Sequence, residues 1–164
     1  MFKSKSEMIT EGLRKSFHST DCKMANRRCY GYDMTLGGKL VINEAESKIV
    51  HWIFDRYLIG DNLSKIAAGL ERQGVLSSNG KSKWNCEAIS KLLSNEKYTG
   101  SVLLQKTMSF VGAQLKNDGV LDQVLLKDHH KATISTADFE KVQQVKNECS
   151  NSPVQEMKMV LSFT

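Results

Sequence analysis

Residues 62–93 read NLSKIAAGLERQGVLSSNGKSKWNCEAISKLL, two apolar stripes separated by a polar turn. Asn62 stands where an N-cap belongs, and Leu63, Ile66, Ala67 and Leu70 recur at i, i+3, i+4 and i+7 on one helical face. Gly74 ends that helix, and Ser77-Ser78-Asn79-Gly80 is a turn. A second helix follows, with Asn85 as N-cap, Trp84 at N′ and Ile89 at N4. That is the hydrophobic-staple spacing, which fixes how the chain enters a helix. Ile89, Leu92 and Leu93 then face inward, leaving Cys86, Glu87, Ser90, Lys91 and Ser94 on the open face.

Upstream, Asn43 and Glu46 have capping-box spacing, and Ala45, Ile49, Val50, Ile53, Phe54, Tyr57 and Leu58 repeat at helical intervals until Gly60. Further upstream, residues 4–17 read as a short amphipathic helix carrying Met8, Ile9, Leu13 and Phe17. A polar, basic linker follows, then a turn at Gly37-Gly38 and a short strand at Lys39–Ile42. Beyond Asn95 the pattern turns strand-like: Tyr98–Gln105, Ser109–Leu115 and Val120–Leu126, with a turn at Asn117-Asp118-Gly119. Ser135 and Asp138 begin a last helix through about Cys149 that buries Phe139, Val142 and Val145; Pro153 breaks the chain. The expected fold is α+β: a three-helix, helix-turn-helix-like core with a small β-sheet and a C-terminal helix. The expected division is residues 1–28 as connecting helix and basic linker, 29–150 as the domain, and 151–164 as a flexible tail.

The 164 residues are 40% hydrophobic and 25% charged, ordinary for a globular chain. No apolar run approaches the roughly 20 residues a membrane helix requires, and MFKSKSEMIT lacks a secretory core. A cytoplasmic location with no membrane partner is expected. Cys22, Cys29, Cys86 and Cys149 have no metal-ligand spacing, so neither a metal nor a cofactor is expected. His129-His130 lacks an acidic or cysteine cluster that would make it a metal or acid–base site.

The net charge of +5 is concentrated in two stretches, one ending at Leu40 and one carrying Lys81, Lys83, Lys91, Lys97 and Lys106. Such clustering suits a polyanion, and equally suits a solvated surface. Three helices whose last is led by a Lys/Ser/Asn-rich turn can bury one face of that helix and offer the other to a major groove. An ordinary small helical core is the competing reading, because the Gln73–Asn85 connection is longer than the usual turn of about 3–4 residues. The groove candidates are Lys81, Ser82, Lys83, Asn85, Glu87, Ser90 and Lys91. Arg14 and Lys15 read either as phosphate contacts or as a solvated face. Arg27 and Arg28 read as a minor-groove arm or as an exposed linker. Lys97 and Lys106 are further phosphate candidates. Trp84 reads as packing rather than base stacking, and no residue qualifies as catalytic.

The stretch from Tyr30 to about Val145 resembles the recombinase domain of large serine recombinases, relatives of resolvases, invertases and phage integrases. The resemblance is carried by Y-G-Y at Tyr30–Tyr32, L-V-I-N-E-A-E at Leu40–Glu46 and I-V-x-x-I-F-x-x-Y at Ile49–Tyr57. It continues through K-I-A-x-x-L at Lys65–Leu70, Gly74-Val75, Gly80, Trp84, Ile89, Leu92-Leu93, Asn95 and Y-T-G at Tyr98–Gly100. D-H-H-K-A-T-I-S at Asp128–Ser135 and F-E-K-V-Q at Phe139–Gln143 close it. Each motif is weak alone, and their order is consistent. The chain departs from the family at Cys29 and Glu96, where proline is common.

The resemblance implies double-stranded DNA as partner, a dimer on each site and a synaptic tetramer for the parent protein, and a monomer for this chain alone. It also implies a catalytic domain whose serine attacks the phosphodiester, and a zinc ribbon. Neither matches any part of this sequence, so the chain is expected to be a non-catalytic fragment of a longer protein, by cloning or by gene decay. Residues 4–17 would end the helix that joins the catalytic domain. The expected function is site-specific duplex binding in DNA integration, inversion or excision by a mobile element. An RNA- or single-strand-binding module and a protein-interaction domain are the rivals.

Overall fold

The computed structural model describes residues 2, 4–17, 22–23, 25–110 and 113–150. The expected tail 151–164, with Pro153, and linker residues 18–21 and 24 lie outside them. The elements in chain order are α1 (Lys5–Ser16), β1 (Tyr32–Met34), β2 (Leu40–Ile42), α2 (Glu44–Ile59), α3 (Leu63–Arg72), α4 (Cys86–Leu93), a 3₁₀ turn (Glu96–Thr99), β3 (Val102–Leu104), β4 (Thr107–Phe110), β5 (Ala113–Lys116), β6 (Val124–Leu126) and α5 (Thr136–Ser150). The fold is α+β, with three antiparallel two-stranded ribbons, β1–β2, β3–β6 and β4–β5, in place of one small sheet. The chain forms two compact units: residues up to Val50 with Glu96–Thr133, and His51–Asn95 with residues from Ile134 onward.

In the first unit, Tyr32 of β1 lies opposite Ile42 of β2 and is wholly buried, as is Tyr98 at 1% exposure. Their rings stack with centroids 6.2 Å apart. Burying two phenols requires partners for both hydroxyls. Tyr32 donates to the Lys131 carbonyl at 2.9 Å and Tyr98 to the Tyr30 carbonyl at 2.8 Å. The Thr133 N–H in turn donates to the Tyr98 carbonyl at 2.9 Å. Three motifs far apart in sequence thus meet in one packing joint. Two glycines make the approach possible. A Cβ at Gly31 would lie 3.1 Å from Val50, and one at Gly100 would lie 2.6 Å from the His130 carbonyl oxygen, both residues having positive φ. Gly100 also explains why Tyr98–Gln105 is not one strand: the chain makes a 3₁₀ turn, reverses at Gly100 and becomes extended only at Val102.

The capping box expected at Asn43 is half formed. The Asn43 side chain accepts from the N–H groups of Ala45 and Glu46, both at 3.1 Å. Its own N–H, however, donates to the Gly31 carbonyl at 3.0 Å. The Glu46 carboxylate accepts from the Gly31 N–H at 2.8 Å and pairs with Arg28 at 3.0 Å. A tertiary partner has displaced the local one.

Helix α1 begins with a complete capping box between Ser4 and Glu7. Its apolar side is nevertheless open, with Met8, Ile9 and Leu13 at 56%, 57% and 43% exposure. Only Phe17, just past its end, is buried, joining Cys22, Ala25, Val102 and Leu104 against Val124 and Leu126. The β4–β5 ribbon is closed at its base by buried Asn117, whose amide donates to the carbonyls of Gln105 at 2.8 Å and Leu121 at 2.7 Å.

In the second unit, Ile53 and Phe54 of α2, Ile66 and Leu70 of α3, Ile89 and Leu93 of α4, and Val142 of α5 are all fully buried. Gly69 lets α3 approach the Trp52 ring, which would lie 2.7 Å from an added Cβ. Asn62 caps α3 by accepting from the Lys65 N–H at 2.8 Å. The N–H groups of Gly74 and Val75 close its other end on the carbonyls of Glu71 and Leu70, a Schellman pair. Ser135 accepts from the Asp138 N–H at 3.1 Å and so starts α5.

Gly100→Ala should lower unfolding free energy by about 3 kcal/mol, because a blocked Cβ adds to the cost of a left-handed residue. Gly38→Ala, also at positive φ but with nothing within 4 Å of the added Cβ, should lose only about 1–2 kcal/mol. Denaturant unfolding of both variants checks the contrast. The His129–His130 pair supplies a pH prediction. The His130 Nε2–H donates to the Lys97 carbonyl at 2.6 Å, so in the neutral pair its Nδ1 accepts from the Nδ1–H of His129 at 3.1 Å. Burial, with Lys97 nearby, holds both imidazoles below their ordinary value of 6.5. The unfolded chain therefore binds more protons than the folded one below that value, and stability should fall as pH drops beneath 6.5. Denaturation midpoints between about pH 7.5 and pH 5 should show a slope that His129→Gln with His130→Gln flattens.

Candidate nucleic-acid interface

Helix α4 is assembled from its lead-in. Within the Ser77–Lys81 turn, the Ser77 N–H donates to the Lys81 carbonyl at 2.9 Å, and the Lys81 N–H to the Ser77 hydroxyl at 3.2 Å. The chain then passes Lys81, Ser82 and Lys83, all exposed, to reach buried Trp84. The Trp84 main-chain N–H donates to the Glu71 carboxylate at 3.0 Å, and its indole N–H to the Val75 carbonyl at 2.9 Å. Both acceptors belong to the end of α3, so the tryptophan ties the return of the turn to that helix. This is the packing role expected of it. Asn85 next adopts the extended geometry of an N-cap, φ −94° and ψ 134°, and its side chain accepts from the Glu87 N–H at 2.9 Å.

The inward residues Ile89, Leu92 and Leu93 are at most 7% exposed, whereas Glu87, Ala88 and Lys91 face out. Lys91 pairs with Glu87 one turn away at 2.7 Å and holds its carboxyl below the ordinary carboxylate value. Ser90 is different. Lys146 of α5 donates to its carbonyl at 2.9 Å and to its hydroxyl at 3.1 Å, so this expected groove residue is engaged within the chain. Lys146 also reaches the Ser94 hydroxyl, and Gln143 donates to the Leu93 carbonyl at 2.8 Å. Sequence reading missed both α5 residues, since a polar contact across some 50 positions leaves no local signal.

This leaves a set of exposed hydrophilic residues on α4 and its lead-in: Lys81, Ser82, Lys83, Asn85, Glu87 and Lys91. It can donate from ammonium, hydroxyl and amide groups, accept at Glu87, and present the positive end of a helix to an anion.

The remaining expected residues lie in the first unit. Arg14 and Lys15 are exposed on the last turn of α1, Lys15 within 3.5 Å of Glu11. Arg27 is exposed, and its carbonyl accepts from Lys97 at 2.6 Å. Arg28 pairs with Glu46 at 3.0 Å and Asp33 at 3.4 Å, so its guanidinium is held against the protein. Burial pushes the Lys97 ammonium below its ordinary pKa. Lys106 pairs at 2.6 Å with Glu96, whose other oxygen accepts from the Leu103 N–H at 2.9 Å. Arg28, Lys97 and Lys106 therefore have structural work that their charge alone does not reveal. Burial raises the Cys29 thiol to about 11, the reverse of an activated nucleophile. Among the described residues no cluster of three or more His, Cys, Asp or Glu could hold a metal, and no helix is long and apolar enough to cross a membrane.

The family model named Recombinase matches residues 44–148. A solved structure described as a crystal structure of an LSR–DNA complex superposes with a TM-score of 0.60 and 22% identity, over 90% of this chain and 41% of that one. Another, from work on the sequence requirements of the Listeria innocua prophage attP site, gives 0.60 and 22% over 90% of this chain and 54% of that one. The chain thus spans about half the length of these two structures, whose fold it shares. With a match that begins at α2 and runs into α5, over more than half of its length, the chain belongs to the Recombinase family.

Proposed function

We propose that this chain selects a specific site on double-stranded DNA for a serine recombinase, with α4 and its lead-in reading the major groove. One observation carries the reading: α4 buries Ile89, Leu92 and Leu93 while Lys83, Glu87 and Lys91 stay exposed on a helix with a firmly tied start. The DNA in one structural neighbour and the phage attachment site studied with the other support it. In this reading α2, α3 and α4 act as a helix-turn-helix-like unit with a long connection. Lys81 and Lys83 contact phosphates or base edges at the start of α4, and Asn85, Ser82, Glu87 and Lys91 line the groove. Arg14, Lys15 and Arg27 supply sequence-independent phosphate contacts. Arg28, Ser90, Lys97 and Lys106 stay with their partners in the protein. Strand cleavage belongs to a catalytic serine elsewhere in a cytoplasmic parent recombinase of a mobile element, which pairs on each site and forms a tetramer in synapsis.

The test is duplex binding by titration at several salt concentrations, with a structured RNA and a single strand as competitors. Duplex binding should weaken steeply with salt, by about 0.9 in logarithmic slope per neutralised phosphate. Lys83→Ala combined with Lys91→Ala should weaken binding by about 1–3 kcal/mol if one lysine reads a base. Unchanged affinity in a folded double variant removes α4 from the interface. Preference for RNA or single strands overturns the duplex reading.

A further inference from the structure

Helix α4 has eight residues, Cys86–Leu93, so the carbonyls of its last four have no partner further along the helix. All four are satisfied. The Lys91 carbonyl accepts from the Ser94 N–H at 3.2 Å, and the Leu92 carbonyl from the Asn95 N–H at 3.1 Å. The other two acceptors are met from α5: Ser90 by Lys146 at 2.9 Å and Leu93 by Gln143 at 2.8 Å. Gln143 and Lys146 stand three positions apart in sequence, on one side of α5. Lys146 also donates to the hydroxyls of Ser90 and Ser94, so its ammonium makes three contacts at the negative end of the α4 dipole. Burial lowers its pKa, in keeping with a charge withdrawn from solvent onto this helix end.

We propose that Gln143 and Lys146 are positioning residues that fix the orientation of α4 and thereby set which duplex sequence it accepts. The proposal rests on α4 being the reading helix. Trp84 and Asn85 hold its beginning, and the α5 pair holds its end. An eight-residue helix tied only at its start would be able to pivot, and a small rotation moves Glu87 and Lys91 relative to base edges. Phosphate contacts, made by flexible lysines, tolerate the same rotation. The two α5 residues therefore govern discrimination between sequences and leave general DNA affinity alone.

The experiment compares the wild-type chain with Gln143→Met plus Lys146→Met, using a duplex enriched by the wild type from a random pool and a scrambled duplex of equal length and composition. The double variant should lose about tenfold of its preference for the enriched duplex, the worth of roughly one base contact. Affinity for the scrambled duplex and the salt slope should not change, and Lys146→Arg with Gln143 intact should keep the preference. A DNA-free measurement accompanies it: amide exchange in the last turn of α4 should quicken while the thermal midpoint of the chain holds. Unaltered preference or unaltered exchange overturns the proposal. A salt slope reduced by about one, with weaker scrambled binding, makes Lys146 a phosphate contact instead. A fall in both affinities together with the thermal midpoint makes the pair a stability element only. Failure of the wild type to enrich any duplex refutes the reading of α4 itself, and the exchange result then stands alone as evidence on the clamp.

Discussion

The exposed set on α4 and its lead-in depends on the two hydrogen bonds of Trp84. A buried indole must find an acceptor for its N–H, and a chain entering a helix must settle main-chain donors that the helix itself leaves over. Trp84 meets both demands with groups at the end of α3, the Val75 carbonyl and the Glu71 carboxylate. The thirteen-residue connection Gln73–Asn85 is therefore tied at its return, and Lys81, Ser82 and Lys83 arrive in sequence at the helix start. Without that tie the polar residues of 77–83 would be an ordinary surface loop, and their charge would have no fixed address.

The first unit solves a different problem with the same kind of device. Its strands are three or four residues long, too short to be stable as isolated ribbons. The β1–β2 ribbon is anchored by the stacked Tyr32–Tyr98 pair, whose hydroxyls take up the carbonyls of Lys131 and Tyr30, while the Phe17 cluster backs β3–β6 and Asn117 closes the base of β4–β5. The motifs around Tyr30–Tyr32, Tyr98–Gly100 and His129–Thr133 are thus one joint seen three times along the chain. All three lie in the first unit, while the exposed Lys81, Ser82, Lys83, Glu87 and Lys91 sit in the second, among the more weakly patterned positions 81–91.

Several cations changed meaning once their neighbours were visible. Arg28 faces two carboxylates, Lys106 faces Glu96, and Lys146 lies on the end of α4. Charge counting treats all of them as available to a polyanion. Distances separate those held against the protein from those, such as Lys81 and Lys83, that stand in solvent on the lead-in to α4. The same distinction explains Glu46, whose capping-box spacing is correct but whose carboxylate serves Gly31 and Arg28. A partner brought by the fold competes with the local one whenever its geometry is as good.

By itself, the sequence determined the helices α2 to α5, their caps at Asn43, Asn62, Asn85 and Ser135, and the inward residues of α4. Helical periodicity and capping act within a few residues, so they are written locally. The 3₁₀ turn at Glu96–Thr99, the pairing of β3 with β6 across some twenty residues, and the open apolar side of α1 were decided only in three dimensions. So was the clamp from α5 onto the end of α4. Each of these depends on which distant groups reach hydrogen-bonding or packing distance, and that information exists only after the chain has closed its long loops.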